Sequence, residues 1–464
     1  MASKAMCLSG NRLDRLPLSG PILRIIVLIS LGFGFEIYDL FLTAYIAPTL
    51  SKAGYFTPES LGLLAGLSTV GIHGVGTFVF SLFAGLFVGA VALGSIPDSV
   101  GRRAAFTLSM VSYSLCTAVM ACQSTGFGIN VWRFLAGVGL GIELVTIDTY
   151  LSEWVAPRFR GRAFALCQVI GFSFVPLVAF LAWCLNAEAP FGVDGWRIVV
   201  GVGSVGALAA WVLRRSIPES PRWLESVGRY EEAAQAINRI EQRIRLRRPD
   251  VQMNASGTAN QADPGQPTLS AGAYRKRLMT LSVFNFFQTF GYYGFSAWVP
   301  TLLIARGIGV TNSLEYAFII ALANPLGPAI GYWLGDAFDR KWQIVGAAIA
   351  VAVFGGAFSV VTLPALLVCF GALVTIANNA MSYAYHGYQA EIFPTAIRGR
   401  SVGFVYAWSR LSAALSGPII AALLTAGGVP LVFVFIATAM AIVVVTIGTF
   451  GPRTRGLALE DLAH

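Results

Sequence analysis

The segment SEWVAPRFRGR, residues 152–162, returns almost unchanged as AEIFPTAIRGR, residues 390–400. In both copies a glutamate, Glu153 or Glu391, stands seven positions before Arg-Gly-Arg, and the two glutamates are 238 positions apart. A basic phrase that is written twice indicates that the chain consists of two related halves. The composition of the sequence around the copies decides which kind of fold these halves adopt.

The chain has the composition of a membrane protein. Of its 464 residues 56% are apolar and only 12% are charged, and this charged fraction is about half that of soluble domains. Apolar stretches of about 20 residues recur, and each can cross a bilayer as a helix whose backbone is satisfied internally. The sequence predicts an all-α membrane protein with twelve transmembrane helices, over residues 22–50, 74–97, 104–123, 127–152, 163–187, 196–215, 278–304, 315–336, 343–363, 366–390, 401–424 and 430–450.

The net charge of +9 is concentrated in alternate loops. If the amino terminus is cytoplasmic, the cytoplasmic segments hold most of the arginine and lysine. The outside loops then hold little beyond Lys52, Arg197 and Arg306. This positive-inside bias predicts a multi-pass protein of the cell membrane, the inner membrane of a bacterium, with both termini in the cytoplasm. Topology accounts for the basic balance, so no nucleic-acid partner is expected.

A second repeated motif supports the division of the chain into two related halves. The phrase DSVGRR at 98–103 returns as DAFDRK at 336–341, again 238 positions later and at the cytoplasmic end of the equivalent span. Because the repeated segments keep one orientation, the halves are predicted to be parallel repeats of six helices, an architecture of secondary transporters. The predicted domains are a first bundle over 1–215, a cytoplasmic central loop over 216–277, and a second bundle with a short cytoplasmic tail over 278–464.

Several phrases carry a resemblance to a known family. The phrase GSIPDSVGRR at 94–103 resembles the signature between the second and third helices of the major facilitator superfamily, with Ser99 where a basic residue is usual. PESPRWLESVGRYEEA after the sixth helix, and PRTRGLALEDL after the twelfth, resemble the sugar-porter and organic-ion branches, with Arg453 in place of a glutamate. EIYDLFLTAYIAPTL in the first helix resembles bacterial proton symporters for aromatic acids and related metabolites. The resemblance covers essentially the whole chain and implies the twelve-helix fold of that superfamily.

The repeated acidic and basic residues are predicted to form a cytoplasmic gate. We expect Asp98 and Arg102 of the first half to face the region of Glu391 and Arg400 of the second half, so that ion pairs form when the gate closes. The alternative is that Arg-Gly-Arg serves only as a topology signal. The predicted gate residues are Asp98, Gly101, Arg102, Arg103, Glu153, Arg162, Asp336, Arg340, Lys341, Glu391 and Arg400.

Charges inside the spans are costly unless they are paired or hydrated, so they indicate function. Glu36 and Asp39 are three positions apart in the first helix and share one face, and Arg133 lies in the fourth. The resemblance to sugar porters implies that Asp39 and Arg133 form a proton switch. A purely structural ion pair is the alternative, and Glu36 fits either a proton site or a substrate contact.

Arg410 lies at mid-depth in the predicted eleventh helix, where a planar cation suits a carboxylate. An ion pair of Arg410 with Glu36 or Asp39 alone is the alternative. Polar and aromatic residues in the seventh and tenth helices are predicted to complete a substrate site, although they also suit interhelical hydrogen bonds. The predicted substrate-binding residues are Arg410, Gln288, Tyr292, Tyr293, Trp298, Asn379 and Tyr383.

These patterns predict a secondary active transporter that moves a small organic anion, an aromatic or heterocyclic carboxylate, by alternating access with protons. A carrier of sugar, another neutral metabolite or phosphate is the first alternative, and a nutrient receptor that does not transport is the second. The sequence has no nucleotide-binding loop or catalytic triad, and its six cysteines have no metal-ligand spacing. We therefore expect no enzymatic activity, cofactor or metal, and a monomer whose partners are the solute, protons and the bilayer.

Overall fold

The computed structural model of the protein describes residues 12–13, 16–70, 72–156, 159–185, 192–247, 271–334, 338–393 and 398–453. Within these residues the regular secondary structure is helical, and no strand is present. The first six long helices are α1 (Gly20–Lys52), α2 (Val75–Ala92), α3 (Arg102–Ala121), α4 (Gly126–Trp154), α5 (Arg160–Phe172 and Phe174–Leu185) and α6 (Gly195–Arg214).

The second six helices repeat this arrangement. They are α7 (Ala271–Ser296 and Val299–Ala305), α8 (Val310–Ala321 and Leu326–Leu334), α9 (Arg340–Val360), α10 (Pro364–Ile392), α11 (398–426) and α12 (429–445). Helices α11 and α12 are separated by a bend at Gly427 and Gly428, where the backbone is not helical. Gly428 has a φ of 66°, a conformation that glycine adopts without steric cost.

The predicted twelve spans are confirmed in the described part of the chain. Nine stretches there are long and apolar enough to cross a membrane, and one of them, Ser401–Phe450, contains both α11 and α12. The remaining two helices are α4, with 29 residues, and α7, with 26 residues. These two are less apolar because they carry buried polar side chains, Arg133 and Glu143 in α4 and Asn285 and Gln288 in α7. The fold is that of an all-α membrane protein with two parallel six-helix halves.

Several predicted helix boundaries differ from the structure by a few residues, and two of these differences have a clear physical reason. Helix α2 ends at Ala92 rather than at 97, and a separate short helix follows at Ile96–Val100. Pro97 has no backbone N–H and cannot continue α2, so it lies in the first turn of the new helix. Helix α7 begins at Ala271 rather than at 278, because its first turns are polar and extend beyond the apolar part of the sequence.

One end of the bundle carries the repeated motifs and is called the basic end below. It is the end where α1 begins, where Arg102 starts α3, and where the helix Tyr230–Arg247 packs. Ile237 and Ile240 of that helix are buried together with Ile22 of α1. This packing places the basic helix over the first half of the molecule.

The two halves pack tightly at the opposite end. A Cβ atom on Gly417 of α11 would lie 3.0 Å from Cγ1 of Val79 in α2, so the absence of a side chain allows close approach. Trp183 of α5 stacks on Phe318 of α8 with ring centroids 5.7 Å apart and planes inclined by 14°. Both contacts join one half to the other, so this end is closed between the halves.

Candidate functional site

A cavity lies between the two halves, from the middle of the bundle toward the basic end. Its empty space is about 840 Å³ when its open mouth is included, which suits a small molecule rather than a polymer. The first half contributes a mostly apolar wall of Phe33, Ile37, Leu40, Ile147, Phe164, Cys167, Gln168 and Phe172. The second half contributes a polar and aromatic wall of Gln288, Thr289, Tyr292, Tyr293, Ser382, Tyr385, His386, Tyr406, Ser409 and Arg410.

Arg410 is the cation of the polar wall and is only 3% exposed. Its Nη2 donates to the Tyr406 hydroxyl at 2.9 Å, and its Cζ lies 4.5 Å from the centroid of the Tyr406 ring. Tyr293 is a further hydrogen-bond partner, and Glu36 is close enough to interact electrostatically. Nε of Arg410 is buried and has no acceptor among the described residues. An unmade hydrogen bond of a buried charged donor is costly, so this edge of the guanidinium is suited to an incoming anion.

Aromatic rings surround the guanidinium. Tyr292 and Tyr293 pack edge to face at 5.0 Å, and Tyr385 stacks on His386 with centroids 4.3 Å apart. The His386 Nδ1 lies 2.8 Å from the carbonyl oxygen of Ser382, and since a carbonyl only accepts, Nδ1 carries the proton. The wall combines flat apolar surface with one cation and several hydroxyl groups.

Four of the predicted substrate residues lie in this wall: Gln288, Tyr292, Tyr293 and Arg410. The Gln288 amide Nε2 donates to the Thr289 hydroxyl at 2.9 Å. Sequence analysis did not single out Tyr385, Tyr406 or Thr289, which also line the cavity. Tyr406 stands four positions before Arg410 on α11, so the two side chains share one helix face. This spacing is the signal in the sequence from which Tyr406 could have been predicted.

The other three predicted substrate residues lie outside the cavity wall, as far as the structure describes it. Asn379 accepts a hydrogen bond from the Tyr292 hydroxyl at 3.0 Å and donates one to Asn324 at 3.0 Å. Its side chain therefore serves in interhelical hydrogen bonds, the alternative considered for these residues. Tyr383 packs on α8, where a Cβ on Gly331 would be 2.3 Å from its ring. One residue along a helix rotates a side chain by roughly 100°, so Tyr383 leaves the face that its neighbour Ser382 presents to the cavity. Trp298 is 1% exposed and lies at the break in α7.

Asp39 and Arg133 form a closed ion pair inside the first half. Nη1 of Arg133 lies 2.9 Å from Oδ2 of Asp39, and the Thr117 hydroxyl donates to Oδ1 at 3.1 Å. Thr43 accepts from Nε of Arg133 at 2.9 Å and from Nη2 at 2.7 Å, and Nη2 also donates to the carbonyl of Asp39. Arg133 is fully buried, and Asp39 is 2% exposed. The structure therefore brings the predicted pair together, while Glu36 lies nearer to Arg410.

A second buried ion pair was not predicted. Arg214 of α6 lies 2.9 Å from Glu143 of α4, and Ser109 donates to the same carboxylate at 3.3 Å. Arg214 also donates to the backbone carbonyls of Leu28 at 3.2 Å and Ile29 at 3.0 Å in α1. Arg214 stands at the end of a predicted span, where an arginine is usually assigned to the loop. Glu143 lies inside the predicted fourth span, and a carboxylate there requires a partner of opposite charge. This requirement is the signal from which a second buried ion pair could have been predicted.

The first copy of the repeated motif forms ion pairs within its own half. Nη1 of Arg102 lies 2.6 Å from Asp98, and Nη2 lies 3.0 Å from Glu153. The pairing expected across the halves belongs to the closed gate, and its partners Glu391 and Arg400 have side chains outside the described residues, so that pairing stays a prediction. The turn at Gly101, with a φ of 99°, directs Arg102 back toward Asp98 and the end of α4. These contacts fasten the segment between α2 and α3 to α4.

Glu219, in the segment after α6, caps the start of α3. Its carboxylate accepts from the backbone N–H of Arg102 at 3.0 Å and of Arg103 at 3.1 Å. A Cβ on Gly101 would lie 2.5 Å from Oε2 of Glu219, so the contact requires glycine there. Partial burial raises the pKa of the Glu219 carboxyl, although the backbone N–H donors act in the opposite direction.

The second copy of the motif is described only in part. Lys341 donates from Nζ to the carbonyl of Gly451 at 2.8 Å, and Arg340 lies against the backbone of Gly387 in α10. In the first half Arg103 donates to the carbonyl of Arg215 at 3.0 Å, and Arg162 is exposed. Three predicted gate positions carry no side-chain description: Asp336 lies outside the described residues, and so do the side chains of Glu391 and Arg400.

Comparison with known proteins identifies relatives over the whole chain. The model of a family described as "Sugar (and other) transporter" matches residues 25–464. A niacin transporter, NiaP of Acinetobacter baylyi, is 27% identical over 460 residues, 97% of this chain and 99% of the relative. An inner membrane metabolite transport protein of Escherichia coli, YdjE, is 27% identical over 467 residues, 98% of each chain. The partially occluded, inward-open xylose transporter XylE from E. coli shares the fold with a TM-score of 0.73 and 20% identity, covering 95% of this chain and all of that one.

Proposed function

The chain belongs to the family of sugar and other transporters, and from that premise we propose that it moves a small organic anion, an aromatic or heterocyclic carboxylate, together with protons. The protein is a multi-pass membrane transporter of the major facilitator type. The proposal concerns the chemistry of the solute, the energy source and the orientation in the membrane.

The observation that carries the proposal is the position of Arg410 in the cavity wall. Its guanidinium is buried among tyrosine rings, and Nε has no acceptor in the described part of the chain. A carboxylate accepts two parallel hydrogen bonds from a guanidinium and neutralises its charge. The flat surfaces of Tyr293, Tyr385 and Phe172 suit an aromatic ring attached to that carboxylate. A neutral sugar would bring no negative charge to the guanidinium.

The name of one relative supports the same solute class. NiaP of A. baylyi, 27% identical, is named a niacin transporter. Niacin is a pyridine carboxylate, so it has both the flat ring and the anion that the cavity accommodates. We use it and its amide, which has the same ring without the charge, as the first pair of probes.

We propose that the basic end faces the cytoplasm and that the structure is an inward-facing state. The distribution of arginine and lysine supports this orientation. Cys167 and His386 line the cavity on the side of the basic end, whereas Gly417 and Trp183 take part in close contacts between the halves at the opposite end. Alternating access would open the closed end and close the open one.

Proton coupling is assigned to Asp39 and Glu36 in the proposed mechanism. Asp39 forms a complete ion pair with Arg133 in this state, and Glu36 lies near Arg410. When an anion binds Arg410, Glu36 loses part of its favourable interaction with the guanidinium and gains the repulsion of a second negative charge. Uptake of a proton by the carboxylate relieves this repulsion, which links anion binding to proton binding.

Isothermal titration calorimetry of purified protein tests the solute class. We expect nicotinate to bind and nicotinamide to bind much more weakly, with no binding of nicotinate to Arg410→Ala. Arg410→Lys keeps the charge but loses the bidentate geometry, so its affinity should fall by ~1–3 kcal/mol. The matched control is Arg229→Ala, which removes an exposed arginine paired with Glu232 far from the cavity.

Two results would contradict the anion proposal. Equal affinity for the acid and the amide would favour a neutral metabolite, and xylose titrated in the same way would test the sugar alternative directly. Unchanged nicotinate affinity in Arg410→Ala would remove Arg410 from the site. Inorganic phosphate, titrated as a third ligand, tests the remaining alternative.

A further inference from the structure

A second, smaller cavity lies on the outside of the first half, between α3 and α6 at the basic end. Its empty space is about 320 Å³ with its mouth included. Arginines of both helices line it, Arg103 of α3 with Arg214 and Arg215 of α6, and no carboxylate lines it in the described part of the chain. We infer that this cavity binds the phosphodiester group of an anionic phospholipid.

The cations of the cavity differ in their availability. Arg214 is committed to the protein, because its N–H groups are taken by Glu143 and the carbonyls of Leu28 and Ile29. Arg215 is exposed, and its Cζ lies 3.9 Å from the centroid of the Trp211 ring. Its side chain donates no hydrogen bond within the residues that the structure describes. Its donors are held in place by stacking and remain available to phosphate oxygens.

Arg103 faces the same mouth from α3. One of its N–H groups donates to the backbone carbonyl of Arg215 at 3.0 Å, which holds the Arg103 side chain against the end of α6. The nearby carboxylate of Glu219 is occupied by the backbone N–H groups at the start of α3. The mouth is therefore positive, and the guanidinium groups of Arg103 and Arg215 that line it supply N–H donors suited to the oxygens of a phosphodiester.

The surface around the cavity fixes its depth in the membrane. Leu108 of α3 is 50% exposed, and Val212 and Leu213 of α6 are each 54% exposed, as expected of side chains that face acyl chains. The exposed arginines lie within two turns of these residues, beside Trp211, at the boundary where aromatic and basic residues meet lipid headgroups. Basic pockets between helices at this level bind anionic headgroups. The source of the phosphate is thus the bilayer, and the inference is independent of the transported solute.

Native mass spectrometry of delipidated protein, titrated with phosphatidylglycerol or phosphatidylcholine, tests the inference. We expect tighter retention of phosphatidylglycerol in the wild type. One arginine contributes ~1 kcal/mol to such binding, so Arg215→Gln should weaken it about fivefold. Arg215→Lys should keep most of the charge effect but lose the stacking on Trp211. Arg229→Gln, on the exposed loop helix, is the matched control and should bind as the wild type does.

Three outcomes would overturn the inference. Equal retention of the two lipids, or unchanged retention of phosphatidylglycerol by Arg215→Gln, would show that the cavity does not select an anionic headgroup. Displacement of phosphatidylglycerol by millimolar inorganic phosphate would identify a free anion rather than a lipid as the ligand. Thermal stability measured in parallel without lipid confirms that Arg215→Gln is folded, since the residue is exposed at a helix end.

Discussion

Arg133 in the first half and Arg410 in the second are both buried guanidinium groups inside the helix bundle, but their hydrogen bonds differ. Arg133 is surrounded by Asp39 and Thr43, which accept from all three of its nitrogen atoms. Arg410 donates to hydroxyl groups of tyrosines, and its Nε has no acceptor in the described structure. The first arginine is satisfied by the protein, whereas the second has capacity left for a ligand.

The same contrast appears when the two halves are aligned by their repeat. Arg410 lies 238 positions after Phe172, so the two residues occupy equivalent positions in α11 and α5. Both line the cavity, one with an apolar ring and the other with a cation. The residue equivalent to Arg133 in the second half is Gly371, which has no side chain, so the ion pair of Asp39 and Arg133 has no counterpart there. The repeat duplicates the helix ends that build the fold, while the residues at the cavity are asymmetric, as recognition of a polar molecule with an apolar ring requires.

The largest expected effect, on the uphill accumulation of solute, comes from neutralising Asp39 in its ion pair with Arg133. Asp39→Asn keeps the shape of the side chain but cannot release and bind a proton, so uphill accumulation of solute should be lost while exchange persists in part. Uptake into proteoliposomes under an imposed pH difference, compared with counterflow at equal pH, measures the two activities separately.

The control for this experiment is Glu241→Gln, which removes a carboxylate paired with Arg12 at the surface of the basic end. Its accumulation should match that of the wild type. If the Asp39→Asn protein still concentrates solute against a gradient, Asp39 is not the coupling site and the pair with Arg133 is structural only.

A second experiment compares the two arginines through stability. Asp39→Ala leaves the charge of Arg133 buried without its carboxylate and should cost ~3–5 kcal/mol. Arg410→Met replaces a poorly satisfied cation by an apolar side chain of similar length, so the ligand-free protein should be as stable or more stable. Glu36 can take up a proton once its neighbouring cation is gone, which limits the cost.

The measurement is the melting temperature of each purified variant in detergent without ligand. We expect a clear decrease for Asp39→Ala and no decrease for Arg410→Met. An equal decrease in both would mean that the protein holds Arg410 as firmly as Arg133, and the distinction between a satisfied and an available arginine would fail. Addition of nicotinate should then raise the melting temperature of the wild type but not that of Arg410→Met.

The sequence was sufficient to predict the fold because hydropathy, positive loops and the 238-residue offset all depend on local composition. It also identified Arg410, Asp39 and Arg133, since a charge inside an apolar span is visible without knowledge of packing. Partners were harder to predict, because they depend on the rotation of each helix. Tyr383 and His386 are three positions apart in α10, yet Tyr383 packs on Gly331 and His386 lines the cavity.

Pairs between distant helices were also beyond the sequence. Glu143 is visible in the sequence as a charge in the fourth span, but its partner Arg214, 2.9 Å away, stands at the end of the sixth span, where the sequence alone does not distinguish it from a loop residue. The contact of Glu219 with the first N–H groups of α3 could not be predicted either, because it depends on the path of the chain after α6. Such contacts are set by helix packing rather than by spacing along the chain.

The smallest expected effect concerns a third arginine, Arg102 at the basic end. Its partners differ in exposure, since the Asp98 side chain is 75% exposed and that of Glu153 is 13% exposed. Exposed ion pairs contribute ~0–1 kcal/mol, so Asp98→Asn should change the melting temperature little. Glu153→Gln should lower it more, because Glu153 accepts from both Nε and Nη2 of Arg102 in a less hydrated position.

Labelling of Cys167, which lines the transport cavity, decides whether this cluster is also a gate. With the other five cysteines, Cys7, Cys116, Cys122, Cys184 and Cys369, replaced by serine, a maleimide reagent reports access to Cys167 from the basic end. A gate shifts the balance between open and closed states when its ion pairs are removed, so labelling of Cys167 must then change in Glu153→Gln. If stability falls while labelling stays constant, Arg102 and Glu153 only fasten α3 to α4, and the repeated phrase that marks the two halves is a structural and topological signal.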